Sequence, residues 1–454
     1  MVKNLTVGEP LKVILFFAIP LFLGNLLQQS YNILDTLIVG RTVGRNALAA
    51  VGSTGSLSFL ILGFMNGFGI GAAVITSQRF GSGDTEGVRK SFAATIIISI
   101  GLAVVLTLIA AFGAKPILLF LQTPAEIFDD AYLYISIIFL GIPTAMLFNL
   151  FSNVMRAVGD SRTPLIFLAI AFSLKLAINL LFIYVFNAGI GGVALSTVMA
   201  QLVSGLLCLL FIIKRMPVLR LTLSDWRINI GEITKHIKIA LPVGFQMSII
   251  AIGTITVTYA LNILGTEAVA AYSAAAKIDV LAYMALFSIG GAMTTYSAQN
   301  FGAHRIDRIR KGVLHISAVA CLYSILMVLV FIFTGHFFPS IFLGKDSIET
   351  LSMSNNYLVI CSSFYIFLAM LFIIRQSLLG MGDSVTPTIA GIMELVMRIF
   401  AAIILGKTFG FIGICFANPL AWVGAIIPLV IAYIIRMKKL KTEELNCPRI
   451  NADS

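Results

Sequence analysis

Few ionisable residues interrupt the long apolar stretches of this sequence, and those few are where chemistry could be carried. Asp35 lies in Gln28-Gln29-Ser30-Tyr31-Asn32-Ile33-Leu34-Asp35-Thr36, where Gln28, Tyr31 and Asp35 stand three and four apart and so share one face of a helix. A carboxylate on such a stripe can take up and release a proton or a metal cation. Lys175 and Asn179 share a face of a second helix, and Thr197 sits on the next. Burial favours a neutral carboxyl and a nearby ammonium favours the ion, so Asp35 and Lys175 can be poised for exchange. The competing reading is a closed ion pair that only fixes helix register.

Glu394 and Arg398 stand at i and i+4, the spacing of an intrahelical salt bridge, and can be either self-neutralised or functional. Lys175 maps onto Arg398 through an internal repeat described below, so each half puts a cation on its fifth helix. Lys277 and Asp279 fall near the start of another apolar stretch. There Lys277 can snorkel to the interface and Asp279 can meet a cationic ligand. The four histidines, His236, His304, His315 and His336, lie at or near helix ends without ligand spacing, so no metal site is expected.

Nucleotide-driven work is excluded by what the chain lacks. The nearest approach to a phosphate-binding loop is Gly406-Lys407-Thr408, but Ala401 replaces the leading glycine and the segment ends an apolar span. Energy must then come from an ion gradient, in which one elementary charge crossing 100 mV is worth about 2.3 kcal/mol. No loop is long enough to hold a soluble catalytic domain, and no enzyme is expected.

The elements that hold these residues are set by composition. Of 454 residues 59% are hydrophobic and 11% charged, with a mean hydropathy of +1.00, whereas soluble domains carry about a quarter charged residues. Runs such as 91–113, 136–152, 190–213 and 313–334 are long enough to cross a bilayer as helices, at about 20 residues each. Twelve spans are predicted, at 13–36, 47–75, 91–114, 130–153, 164–186, 190–213, 236–262, 270–297, 312–336, 357–379, 387–406 and 412–435. The apolar stretch after Lys12 lacks a secretory cleavage pattern and reads as retained. The expected class is an all-α polytopic membrane protein.

The net charge of +11 is sorted by side. The amino terminus and every second loop gather most of the 31 Lys and Arg, Arg375 among them, while the opposite loops hold Arg41, Arg45, Lys115, Lys345 and Lys407. By the positive-inside rule both termini are cytoplasmic, in the plasma or inner membrane. Topology thus explains the basic balance, and no nucleic-acid partner is expected. Cys208, Cys321, Cys361, Cys415 and Cys447 form no CxxC pair and read as small apolar fillers.

The chain also repeats itself at a spacing of about 222 residues. Ser77-Gln78-Arg79-Phe80-Gly81 returns as Ala298-Gln299-Asn300-Phe301-Gly302, and Gly159-Asp160-Ser161-Arg162-Thr163-Pro164 as Gly382-Asp383-Ser384-Val385-Thr386-Pro387. Pro20 matches Pro242, and 47–50 matches 268–271. The offset covers six helices, so both copies run through the membrane in the same sense, as in transporters that bind substrate between two rocking lobes. The expected division is an amino-terminal lobe at 1–215, a cytoplasmic linker at 216–235 and a carboxy-terminal lobe with a basic tail at 236–454. The repeated Gly-Asp-Ser-x-Thr-Pro segments read as helix caps. Gly63, Gly67 and Gly71, four apart, form a face for close helix approach.

Taken together, these residues resemble the multidrug and toxic compound extrusion (MATE) family over nearly the whole chain. The resemblance rests on Asp35-Thr36, the paired Gln-x-Phe-Gly and Gly-Asp-Ser-x-Thr-Pro segments, and 189–197. It implies a V of two six-helix lobes in the MOP flippase superfamily, with antiport of organic cations against H+ or Na+ and no other cofactor. It identifies Asp35 as the first-helix carboxylate, with Gln28 and Tyr31 as its companions. Lys175 and Asn179 fall where many bacterial members carry Asn and Asp, and Thr197 matches the sixth-helix threonine. Losing one carboxylate, at Asn179, and gaining an ammonium, at Lys175, weakens a sodium site there and favours proton exchange at Asp35. The seventh-helix acid of another branch has no counterpart but Gln246, which leaves Glu394 as the best carboxylate of the second lobe. Small organic cations and the lipid bilayer are the expected partners of a monomer. A flippase for lipid-linked sugars or cell-wall precursors is the alternative.

Overall fold

The computed structural model describes residues 3–120, 122–343 and 348–446. Cys447 and Lys345 lie outside that set. Among the described residues all regular elements are helical: α1 (Pro10–Ile38), α2 (Arg45–Gly81), α3 (Thr85–Phe120), α4 (Ala125–Leu140), α5 (Ile142–Ala157), α6 (Arg162–Tyr184), α7 (Gly189–Arg215), α8 (Ile230–Leu264), α9 (Thr266–Gly302), α10 (Ile306–Thr334), the short α11 (Phe337–Leu343), α12 (Ile348–Ser363), α13 (Tyr365–Gly380), α14 (Val385–Phe400), α15 (Gly406–Cys415) and α16 (Ala417–Asn446).

The burial pattern is that of a protein solvated by lipid. On α3 Ile100, Val104, Leu108 and Phe112 stand four apart and are 52–81% exposed, while Ala103, Ala110 and Ala114 are buried. Water would not tolerate that stripe; hydrocarbon does. Ten of the described helices, counting α14 and α15 as one, are long and apolar enough to cross a membrane, and the bent pairs α4–α5 and α12–α13 bring the spans to 12.

Those two bends, of 44° and 49°, fall at Gly141 and Phe364. They are repeat-related positions, yet their local causes differ. Pro143 in the first turn of α5 has no N–H and crowds the carbonyl one turn back. At the second break the Ser362 and Ser363 hydroxyls both turn back onto the Val359 carbonyl, at 3.2 and 2.7 Å, a competition that bends helices.

The repeat is otherwise copied atom for atom at its caps. Asp160 accepts from the Thr163 N–H at 3.0 Å and its hydroxyl at 2.6 Å, and Asp383 accepts from the same groups of Thr386 at 3.0 and 2.7 Å. Left-handed backbone recurs at Gly44 and Gly265, where the chain turns into α2 and α9, and at Gly83 and His304, where it leaves them. His304 thus holds a conformation (φ 54°) that the first copy gives to glycine.

The chain divides into two compact units, 3–4 with 19–251 and 5–18 with 252–446 of the described residues. The sequence repeat put the boundaries at 215 and 236, whereas the division by contacts falls after 18 and after 251. In the first unit, Gly67 and Gly71 of α2 lie against the Val243 and Ala240 backbone of α8 so closely that a Cβ on either would collide. Arg79–Glu232 (2.7 Å) and Arg89–Asp225 (3.1 Å) bind the same segment and the preceding loop to α2 and α3. In the second unit, Leu5 pairs with the Gln299 and Asn300 side chains, and Arg305 and Arg308 donate to the Thr6 and Gly8 carbonyls.

Candidate functional site

In the first unit, α1 presents Asp35 and α6 presents Lys175, whose ammonium is ion-paired with Asp35 Oδ2. The Lys175 side chain is 3% exposed and Asp35 16% exposed, so the pair sits at the rim of a recess lined also by Tyr31, Phe172 and Asn179. Tyr31, one helical turn before Asp35, lays its ring 3.7 Å from Lys175 Nζ and packs against Phe172 at 5.5 Å. The ammonium is thus held by a carboxylate and a π-face together. Asn179 donates weakly to Asp35 Oδ1 at 3.4 Å, and its own Oδ1 takes the Ser196 hydroxyl of α7. The chain Ser196–Asn179–Asp35–Lys175 links three helices through two backbone-independent hydrogen bonds and one ion pair.

Among the described residues the second unit holds two sites built on a buried carboxylate. Glu394 of α14 is ion-paired with Arg375 of α13, and Arg398 stands 3.8 Å from its other oxygen. All three side chains are at most 6% exposed. Gly253 of α8 makes room for Arg398, since a Cβ there would lie 2.6 Å from its Nη1. Farther along, Asp279 of α9 is 3% exposed. It accepts hydrogen bonds from Tyr365 at 2.5 Å and Tyr357 at 3.2 Å.

The profile of the MatE family matches residues 20–181 and 242–404, once in each copy of the repeat. The chain belongs to the MATE family. It is 30% identical to "Probable multidrug resistance protein YpnP" of Bacillus subtilis (strain 168), over 67% of this chain and 68% of that protein. It is 23% identical to "Multidrug export protein MepA" of Staphylococcus saprophyticus, over 94% of each. Among solved structures its fold is similar to the outward-facing conformation of a multidrug resistance MATE family transporter of the MOP superfamily. That match has a TM-score of 0.89 at 21% identity and covers 96% and 98% of the two chains. It is also similar to a MOP superfamily transporter from Pyrococcus furiosus reported for reverse polarity of its binding pocket, with a TM-score of 0.88 at 20% identity over 96% and 98%.

This MATE chain is therefore a multi-pass plasma-membrane transporter and not an enzyme. Of its sequence-predicted site residues, the structure gathers Asp35, Tyr31, Lys175 and Asn179. Thr197 is not in the cluster: its hydroxyl donates to the Val193 carbonyl of its own helix at 3.1 Å, and the neighbouring Ser196 faces Asn179 instead. Gln28 is exposed on the shared stripe. Gln246 belongs to the first unit rather than the second lobe; it is buried, with Nε2 lacking a hydrogen-bond partner among the described residues.

Glu394 and Arg398 are not a self-contained intrahelical pair, because Arg375 holds Glu394 more closely from another helix. Arg375, grouped by sequence with the cytoplasmic loops, is 4% exposed inside the unit. It lies within the tenth predicted span, so the reasoning that singled out Lys175 could have found it. Asp279, which the sequence offered to a cationic ligand, is buried, whereas Lys277, read as interfacial, is exposed with Phe342 5.7 Å away. Tyr357 and Tyr365 gave no sequence signal; they reach Asp279 from α12 and α13, on either side of the bend at Phe364.

Proposed function

We propose that this MATE transporter exports amphipathic organic cations by alternating access, in exchange for inward-moving H+ or Na+. The observation that carries the reading is the seat of Lys175. Asp35 and the Tyr31 ring already hold an ammonium in a low-dielectric recess, and an organic cation offers them the same chemistry. Substrate binding here means competing with Lys175, and a cation-driven change elsewhere in the chain can bias that competition. The names of the relatives, which speak of multidrug resistance and multidrug export, support the same reading. One chain with both termini cytoplasmic is the working unit in this proposal.

The test is uptake of ethidium into inside-out vesicles under separately imposed proton and sodium gradients. Accumulation driven by one gradient and abolished by Asp35→Asn is expected. If Asp35→Asn accumulates ethidium as the parent does, the recognition role of Asp35 is wrong. A flippase for lipid-linked precursors is favoured by one observation, the two guanidiniums of Arg375 and Arg398 around a single Glu394. Such surplus positive charge suits phosphate. Accumulation of lipid-linked substrate in a deletion strain would select that reading.

A further inference from the structure

Among the described residues three carboxylates lie between the apolar helices away from their capped ends, and two have cations beside them: Asp35 has Lys175, and Glu394 has Arg375 and Arg398. Asp279 has none, because among the described residues no Lys, Arg or His forms an ion pair with it. Its partners are two phenols. Tyr365 of α13 donates to Oδ1 at 2.5 Å and Tyr357 of α12 to Oδ2 at 3.2 Å, while the Asn418 amide of α16 donates to the Tyr357 oxygen at 3.0 Å and so directs its proton toward the carboxylate.

The other titratable groups nearby are Tyr272 and Tyr283 on the same helix, Cys361 on α12 and Arg398 on α14. The phenols and the thiol are neutral at physiological pH. Arg398 belongs to the Glu394 site. A fully ionised carboxylate kept from water without a counter-cation is unfavourable, and a proton resolves this more simply than any rearrangement of neighbours.

Protonating Asp35 instead would strand the Lys175 ammonium in the same recess, which penalises loading there. Asp279 carries no such penalty, and the surrounding groups can follow its change of state. With the carboxylate ionised, Tyr365 donates to it; on protonation the new carboxyl O–H needs an acceptor. The Tyr365 hydroxyl lies also 3.4 Å from the Asp279 backbone carbonyl, so it can turn its hydrogen there and accept from the acid. One proton is bound and no covalent bond within the protein breaks.

We propose that Asp279, seated between Tyr357 and Tyr365, is a proton-loading site of the second unit, and that the charge on this carboxylate rather than on Asp35 changes in the transport cycle. The inference rests on the cation-antiport reading above and assigns it an ion and a residue.

The experiment uses the full-length protein in liposomes with an imposed pH difference and ethidium as probe. The parent is expected to accumulate ethidium and to bind it about tenfold more weakly as pH falls across the loading range. Asp279→Asn is expected to abolish both the accumulation and the pH dependence of binding. Tyr365→Phe, which removes one donor and little else, moves the binding midpoint to higher pH and decides the matter should Asp279→Asn fail to fold. A parent driven by sodium alone overturns proton coupling and this site with it. A proton-driven parent whose Asp279→Asn variant keeps its pH profile, or loses it only on Asp35→Asn, overturns the site and leaves antiport standing. An unmoved midpoint in Tyr365→Phe likewise overturns it.

Discussion

Gly67 of α2 lies under the Val243 carbonyl of α8, at a separation that admits no side chain. Gly63, one turn away, has only the Met247 Cβ near it, at 3.9 Å from where its own Cβ would be. Gly67→Val is therefore expected to force the helices apart and cost about 1–3 kcal/mol, whereas Gly63→Ala is accommodated. The unfolding midpoints of the two purified variants, measured against the parent in detergent, check the contrast. Equal midpoints would refute it.

The Asp35–Lys175 pair predicts non-additivity. Lys175→Met leaves a carboxylate without its cation and Asp35→Asn leaves the cation, so each alone is expected to destabilise by up to about 3–5 kcal/mol. The double variant recovers most of that loss while remaining inactive in ethidium export. A double-mutant cycle on thermal stability reads the coupling, and simple addition of the two losses would exclude a pair.

At the second ionic site the order of damage is set by charge balance. Glu394→Gln leaves Arg375 and Arg398 facing each other without an anion, while Arg398→Met leaves Arg375–Glu394 intact. The first is expected to lower folded yield severely and the second mildly, as seen in the monodisperse fraction on size exclusion. Equal yields would show that Arg375 does not hold Glu394.

Asp225, in the loop between α7 and α8, gives a pH dependence with a definite sign. Burial pushes its carboxyl up, but hydrogen bonds from Thr222 and Arg89 outweigh this and hold it below the usual carboxylate range. Its contribution is then present above the unfolded carboxylate's pKa and is lost as pH falls through the lower folded value. Protease nicking of this loop is expected to rise on acidification through that acidic window, and Asp225→Asn is expected to be nicked readily at neutral pH. A loop equally resistant in Asp225→Asn would remove the linkage.

How far the sequence reaches is clear from particular residues. The repeat foretold the caps at Asp160 and Asp383, because a cap is decided by its own four or five residues. It could not foretell the bend at Phe364, where two serine hydroxyls act in the second copy as Pro143 acts in the first. Asp35 and Lys175 were legible as an interior pair because ionic residues in apolar helices need partners. Ser196 against Thr197 was not, since adjacent positions on α7 point about 100° apart and only the packing chooses between them. Arg375 was misplaced by its nearness to the end of a predicted span, where charge is read as topology. The phenols around Asp279 come from helices 78 and 86 residues away, and nothing local announces such a meeting.

The exchange of opening segments, 5–18 completing the unit that holds the last helices and 230–251 completing the one that holds the first, bears on biogenesis. A ribosome delivering this chain lays down the start of α1 long before its binding partners Gln299, Arg305 and Arg308 exist. The first bundle, for its part, remains unfinished until Val243 has emerged to cover Gly67. Neither half is thus expected to fold by itself, and separately expressed halves severed at the linker should accumulate only when made together.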